Sequence, residues 1–438
     1  MDVRTTFSPN NPKSARANFD SENASLVNTA NISSIQAMTG LQHKKQISQF
    51  TLLGFSKKIL TKHNILSPRS DNPHRTRLCH SYRQASAIAP SISLSENLLD
   101  SRASITDVQT CGCVWACPVC YERKAVENGL EIQKAIAWAK SEGLTPVLVS
   151  LTAAHSNEMS LADFQNPFTD AYRKFTSNRR WRNFKKDFGV VHYIANNDTT
   201  YSDKNGWHYH KHMLFFVDLQ DATTDDMRDA MDETLTEWWL DCLNEHGLSG
   251  KDEYALNVSN HENASSDYMA KIGLTTDESG NLHYEMTSAT TKDGGRNIWD
   301  ILMLANIGSI KNELLYIEYV AHMTGKNWIT WSHGLHDIVD NFEIEETEPE
   351  TGQDNKMVKW LLISDYWWDI VKWAYGYAEL LDVAARTRDI WEVRGLLYVM
   401  RDNLRHENKL SDYYINYIPE IDSIADIRVH EDWQNDTS

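Results

Sequence analysis

The spacing of apolar positions changes several times between residues 121 and 258. Tyr121 to Lys140 carries them at helical intervals and predicts a helix. Pro146-Val147-Leu148-Val149-Ser150-Leu151-Thr152 is a short apolar run that predicts a buried strand. Phe164 to Lys186 returns to helical spacing, and Val190 to Ala195 and His208 to Val217 read as strands. Asp225 to His246 predicts another helix, with Met227, Met231, Leu235, Trp238 and Trp239 as its apolar positions. Tyr254-Ala255-Leu256-Asn257-Val258 again looks like a strand. Strands with intervening helices over this length predict an α+β domain.

The flanks differ. Residues 1–70 open polar and rich in Ser and Asn, which predicts a mobile leader with one or two short helices. The leader lacks the apolar core of a signal peptide. The chain has no run of eighteen apolar residues, so a cytoplasmic protein with no membrane partner is expected. Residues 71–336 hold every chemical motif and are read as one domain. An acidic linker, Glu343-Ile344-Glu345-Glu346-Thr347-Glu348-Pro349-Glu350, opens the third region, residues 337–438. That region continues as a helical tail whose Trp360, Trp367, Trp368, Trp373 and Trp391 recur at helical spacing and are expected to pack.

Charge changes the picture because it is uneven. The net charge is -18, which by itself argues against a phosphate-rich partner. Residues 337–438 carry 23 acidic and 10 basic residues, a net of -13, so the remainder holds only -5. Within that remainder, Arg173, Lys174, Arg179, Arg180, Arg182, Lys185 and Lys186 interleave with Tyr172, Phe175, Trp181 and Phe184. Such a stretch can track a phosphate backbone and stack bases, or can be a solvated helix face.

Three motifs carry candidate chemistry. In Gly206-Trp207-His208-Tyr209-His210-Lys211-His212, strand alternation puts His208, His210 and His212 on one face, where neighbouring imidazoles can hold a divalent cation. Asp198, on the preceding segment, can add a carboxylate. In Asp267-Tyr268-Met269-Ala270-Lys271, a helix would put Tyr268 and Lys271 on one side. A phenol of pKa near 10 needs such a cation to become a nucleophile. In Cys111-Gly112-Cys113-Val114-Trp115-Ala116-Cys117-Pro118-Val119-Cys120, four of the six cysteines fall within ten residues, the density of a zinc site. Cys117 and Cys120 form the defining pair and Cys111 the third ligand, with Cys79 or Cys113 as the fourth.

Taken in order, these blocks resemble the rolling-circle replication initiators of the HUH endonuclease superfamily, in particular the bacterial plasmid and phage group with one catalytic tyrosine. The resemblance spans roughly residues 75 to 336. It rests on the cysteine block 110–120, Leu148-Val149-Ser150-Leu151-Thr152, Gly206 to His212, Tyr268-Met269-Ala270-Lys271, and a closing block from Thr324 to Leu335. It implies an antiparallel sheet flanked by helices, metal histidines on a central strand, a tyrosine on a facing helix, a Cys-rich zinc element within residues 79–120 and a helical C-terminal region. It places Mg2+ or Mn2+ on His208 and His210 with a preceding carboxylate, and structural Zn2+ on the cysteines. The implied activity is origin nicking through Tyr268 on single-stranded DNA, with host helicase and DNA polymerase as partners. The sequence departs from the group's pattern in three places. Asp198 stands near the usual Glu, offset by about one residue. Ala264 stands where a water-activating Glu is common, leaving Glu262 or Asp267 for that role. Cys113 stands where Ser is common. A transposase of the same superfamily, or a non-catalytic zinc-containing DNA-binding regulator, are the alternatives.

Overall fold

The computed structural model describes residues 48–68, 70–96, 102–218, 225–259, 265, 274–276, 282–284, 295–342, 356–416 and 427–429. The fold is α+β with antiparallel sheets. Its strands, in chain order, are β1 (Ser91–Ser95), β2 (Ala103–Thr106), β3 (Thr145–Leu151), β4 (Val190–Ser202), β5 (Gly206–Val217), β6 (Leu256–Val258), β7 (Leu274–Thr276), β8 (Leu282–Tyr284), β9 (Ile329–Trp331), β10 (Met357–Ile363) and β11 (Ile427–Val429). The chain divides into two compact units. One gathers Phe50–His80 with Gln109–Glu350, and the other gathers Ser81–Val108 with the chain from Thr351 onward.

The larger unit is built on a five-stranded sheet in the order β6-β3-β5-β4-β9, antiparallel throughout, with β5 at its centre. Alternation divides β5 into two faces. Tyr209, Met213 and Phe215 lie on one, under an aromatic layer from three helices. In that layer Phe168 of the Leu161–Ser177 helix meets Tyr209, Trp181 of the Arg179–Asp187 helix meets Phe215, and Trp239 of the Asp225–Glu245 helix meets Phe168. Trp238, Trp239, Phe164, Phe168 and Phe175 are fully buried. Each such ring removes about 150–250 Å² from water, about 4–6 kcal/mol before entropy at ~25 cal/mol/Å². The other face carries His208, His210, His212, Leu214 and Phe216. The Pro118–Ser141 helix lays Trp138 against Phe216 and His192 there.

The helix expected over 164–186 is two helices. Asn178 is extended, and its side chain accepts from the N–H of Trp181, so it caps the second helix and stops the first. The strand expected over 254–258 is confined to Leu256–Val258, since Tyr254 and Ala255 close a helical turn. The other expected strands are present, and β4 runs on to Ser202, which brings Asp198 into the sheet.

The domain boundaries differ from expectation at both ends. A helix through residues 50–62 is not part of a mobile leader, because Leu52, Ile59 and Leu60 sit in the hydrophobic core of the larger unit. Residues 81–108 leave the domain expected over 71–336. Their β1 pairs with β10 and β2, in a sheet ordered β11-β10-β1-β2. The same unit contains the helices Asp365–Ala374, Tyr377–Thr387 and Ile390–His406. Trp367 and Trp368 are buried on a helix as expected, Trp360 is buried on the strand β10 and not on a helix, and Trp391 is 69% exposed.

Candidate metal centres

The β4–β5 hairpin sets the first site. Its register puts Asp198 opposite His210, Asn196 opposite His212 and Thr200 opposite His208. Directly opposed residues share a face, so Asp198 lies on the face of the histidines. Oδ2 of Asp198 lies 3.1 Å from Nε2 of His210. Asp198, His210 and His212 form a group whose ligand atoms all lie within 4.8 Å of one another. The resemblance names His208 and His210. The structure instead gathers His210 and His212 with Asp198, and His208 stands at the next position outward, its ring 4.6 Å from that of His210.

Two members of the triad, His212 and Asp198, are held from behind. Nδ1 of His212 is hydrogen-bonded to Oγ of Ser150 at 2.8 Å, which fixes the ring orientation from β3. The N–H of Thr199 donates to Oδ1 of Asp198 at 2.7 Å. Burial works against the Asp198 charge, but His210, by charge and hydrogen bond, and the charge of His212 outweigh it, and the carboxyl is held below its ordinary range. Two imidazoles and an ionised carboxylate suit a borderline divalent ion such as Mn2+. Polar groups waiting for a ligand are present too. Nδ1 of His210 is buried without a hydrogen bond among the described residues, and so are both polar atoms of the Asn196 side chain, which is 1% exposed. Asn196 was missed in the sequence because an asparagine in a polar strand carries no signal until its register opposite His212 is known.

The reverse face of the hairpin is locked by a buried lysine. Lys211 lies between the two triad histidines in sequence but points the other way. Its ammonium donates to Oδ1 of Asn197 and sits 4.3 Å from the centre of the Tyr172 ring. Tyr209 donates to the same Oδ1 at 2.8 Å, and Nδ2 of Asn197 donates to the carbonyl of Asn327 at 2.7 Å. Burial lowers the Lys211 ammonium to about 8.

The second site is made of sulfur. Cys79, Cys111, Cys117 and Cys120 converge, so the fourth cysteine is Cys79 and not Cys113. Their Sγ atoms are separated by 3.6 Å (Cys79–Cys117), 3.7 Å (Cys79–Cys120) and 3.6 Å (Cys111–Cys120). Four sulfurs at 2.3 Å around a tetrahedral zinc are about 3.8 Å apart, so the cluster fits that ion. Cys117 is the N-cap of the Pro118–Ser141 helix, with Pro118 in the first turn, and its sulfur accepts from the N–H of Cys120. Cys79 follows the short Arg75–Leu78 turn, and its sulfur accepts from the N–H of Cys111. Cys113 is buried nearby and spends its N–H on the sulfur of Cys111. Burial pushes the Cys117 thiol well up. A cation at the centre of the cluster would favour the ionised sulfurs.

The basic segment does not border the histidines. Trp181 and Phe184 anchor its second helix to Phe215, on the opposite face of the sheet. Three of its cations are already engaged. Arg173 pairs with Asp170 at 2.7 Å, Lys174 with Glu245, and Arg180 with Glu237 and Asp241 at 3.3 Å each. Lys185 lies 5.8 Å from the centre of the Trp181 ring. Arg179, Arg182 and Lys186 are exposed. Tyr268, Lys271, Glu262 and Asp267 lie outside the described residues.

Comparison with known proteins gives one informative likeness. A protein from Streptomyces lividans named Protein rep is 26% identical over 140 residues, covering 26% of this chain and 30% of that protein. The match thus spans under a third of the relative's length. No family model matches the chain, and no solved structure matches it. Among the described residues, no helix is long and apolar enough to cross a membrane.

Proposed function

We propose that this protein initiates rolling-circle replication by nicking single-stranded origin DNA through Tyr268. The observation that carries this reading is the Asp198–His210–His212 group on the central strands of an antiparallel sheet. The likeness to a protein named Protein rep supports the biological setting. Two ends of the tyrosine's segment are consistent with it. Ser259 donates its N–H to the carbonyl of Leu148 at the sheet edge, and the β7–β8 hairpin lies against the Pro118–Ser141 helix, which covers part of the histidine face.

A divalent cation, when bound, would supply positive charge to the scissile phosphate. The chain's own residues do the rest. Asp198, His210 and His212 would hold that ion, with the His212 ring oriented by Ser150. The Tyr268 oxygen attacks phosphorus, and the bond to the 3′ oxygen breaks. The phenol loses its proton, the leaving 3′ oxygen gains one, and the products are a 5′-phosphotyrosine and a free 3′-OH. Lys271, three residues on, favours the phenolate by charge. Glu262 or Asp267 activates the water, or orients the attacking 3′-OH, in the terminating step. The free 3′-OH primes synthesis by host polymerase behind a host helicase in the cytoplasm. Arg179, Arg182, Lys185 and Lys186 supply a distal part of the grip on DNA, and Arg173, Lys174 and Arg180 mainly brace the helices.

The test is incubation of the full chain with a single-stranded origin oligonucleotide and Mn2+. A covalent protein–DNA adduct that EDTA abolishes is expected. Binding without adduct would leave the zinc-containing regulator as the better description.

A further inference from the structure

We infer that the histidine face holds a second divalent cation, on His155 and His208, beside the triad. His155 lies outside every motif in the sequence and reaches the site through the backbone. β3 stops at Leu151, opposite Lys211, and the loop that follows runs past the start of β5. Gly206 makes that approach close. Its φ is +78°, and a Cβ there would meet the carbonyl oxygen of Ser156 at 2.6 Å and Cα of Asn157 at 2.7 Å. The loop is pinned on its other side by N–H bonds from Thr152 to the Ala255 carbonyl and from Ala154 to the Ser249 carbonyl, both 2.8 Å. The ring of His155 consequently lies 4.8 Å from that of His208.

The row His155–His208–His210–His212 therefore has ring separations of 4.8, 4.6 and 4.7 Å. Two imidazoles bound side by side to one ion, with nitrogens ~2.1 Å from it at about 90–110°, have ring centres about 4.6–5.3 Å apart. Every neighbouring pair in the row meets that condition. Nδ1 of His155 is 3.2 Å from the carbonyl oxygen of Ala153. A carbonyl only accepts, so this contact puts the proton on Nδ1 and leaves Nε2 with its lone pair, the tautomer of a metal-ligating histidine. Exposure rises along the row, from buried His212 and His210 to half-buried His208 and His155. The second ion sits at the open end, beside the triad's ion, and completes its shell with water.

The inference rests on the triad holding the first ion, and one titration separates the two claims. Mn2+ is added to the zinc-loaded full chain, and bound ions are counted from the loss of the aqueous Mn2+ electron paramagnetic resonance signal. The low-temperature spectrum then reports coupling between bound ions. Wild type is expected to bind two Mn2+ per chain with a coupled spectrum. His155→Phe, which keeps a ring packed on Phe164, and His208→Phe should each bind one, uncoupled. One ion in wild type, or two in His155→Phe, overturns the second site and leaves the triad intact. No bound ion overturns both.

Discussion

Replacing Lys211 by methionine should stabilise the protein at neutral pH, against the usual sign for deleting a buried hydrogen-bonded group. Lys211 is 6% exposed, and burial takes its ammonium from 10.5 down to about 8. At ~1.4 kcal/mol for each tenfold change in proton affinity, holding the charge inside costs about 3 kcal/mol. The substitution forfeits a hydrogen bond to Asn197 and the contact with the Tyr172 ring, but it orphans nothing. Oδ1 of Asn197 still accepts from Tyr209, and its Nδ2 still donates to Asn327. An unbranched thioether fits the lysine's channel. A net gain of about 1–3 kcal/mol is expected at pH 7. The pH dependence fixes the cause. The folded-state value lies below the unfolded one, so between about pH 8 and 10.5 the unfolded chain binds more protons, and wild-type stability gains as pH rises. The advantage of Lys211→Met should be full below pH 8 and fade towards pH 10.5. Urea unfolding of both proteins at pH 7 and pH 10 measures it as a double difference, which cancels other titrating groups. A variant less stable than wild type at pH 7, or a gap that does not change with pH, would show that burial of the Lys211 charge is not the cause.

Other predictions follow from the same geometry. Elemental analysis should find one zinc per chain in the wild type and in Cys113→Ser, and none in Cys79→Ser or Cys117→Ser, which should also lose much of the unit's stability. The reverse pattern would put Cys113 in the site. Gly206→Ala forces a left-handed φ and a backbone clash together, and should cost about 2–4 kcal/mol in denaturant unfolding. A neutral result would show that the loop carrying His155 does not rest on the hairpin. The triple variant Arg179→Ala/Arg182→Ala/Lys186→Ala should flatten the salt dependence of single-strand binding by about 0.7 per lost phosphate contact. The triple variant Arg173→Ala/Lys174→Ala/Arg180→Ala should leave it nearly unchanged. Equal slopes in all three proteins would mean that DNA does not cross this surface.

Much of the histidine site was legible because strand alternation is a local rule. The even positions of β5 had to share a face, and only the register with β4 was needed to choose Asp198 and to add Asn196. The cysteine site was legible as far as Cys111, Cys117 and Cys120. No spacing rule links them to a partner over thirty residues upstream, so Cys79 and Cys113 stayed equivalent until the chain was folded. The helix break at Asn178 is a capping event in a polar stretch, and periodicity does not see it. Two features were out of reach for a deeper reason. The pairing of β1 with β10 joins segments more than 250 residues apart, and His155 reaches its neighbours because of a glycine on another strand. Both depend on long-range packing, for which the local pattern of apolar residues has no term.

Nicking through Tyr268 is tested most directly by mapping the covalent bond. Wild-type protein is incubated with a single-stranded origin oligonucleotide and Mn2+, digested, and the DNA-bearing peptide sequenced by mass spectrometry. A phosphodiester link from the 5′ end of the cleaved strand to Tyr268 is expected, absent in Tyr268→Phe and in the presence of EDTA. A link to another residue, or an adduct that persists in Tyr268→Phe, would contradict it.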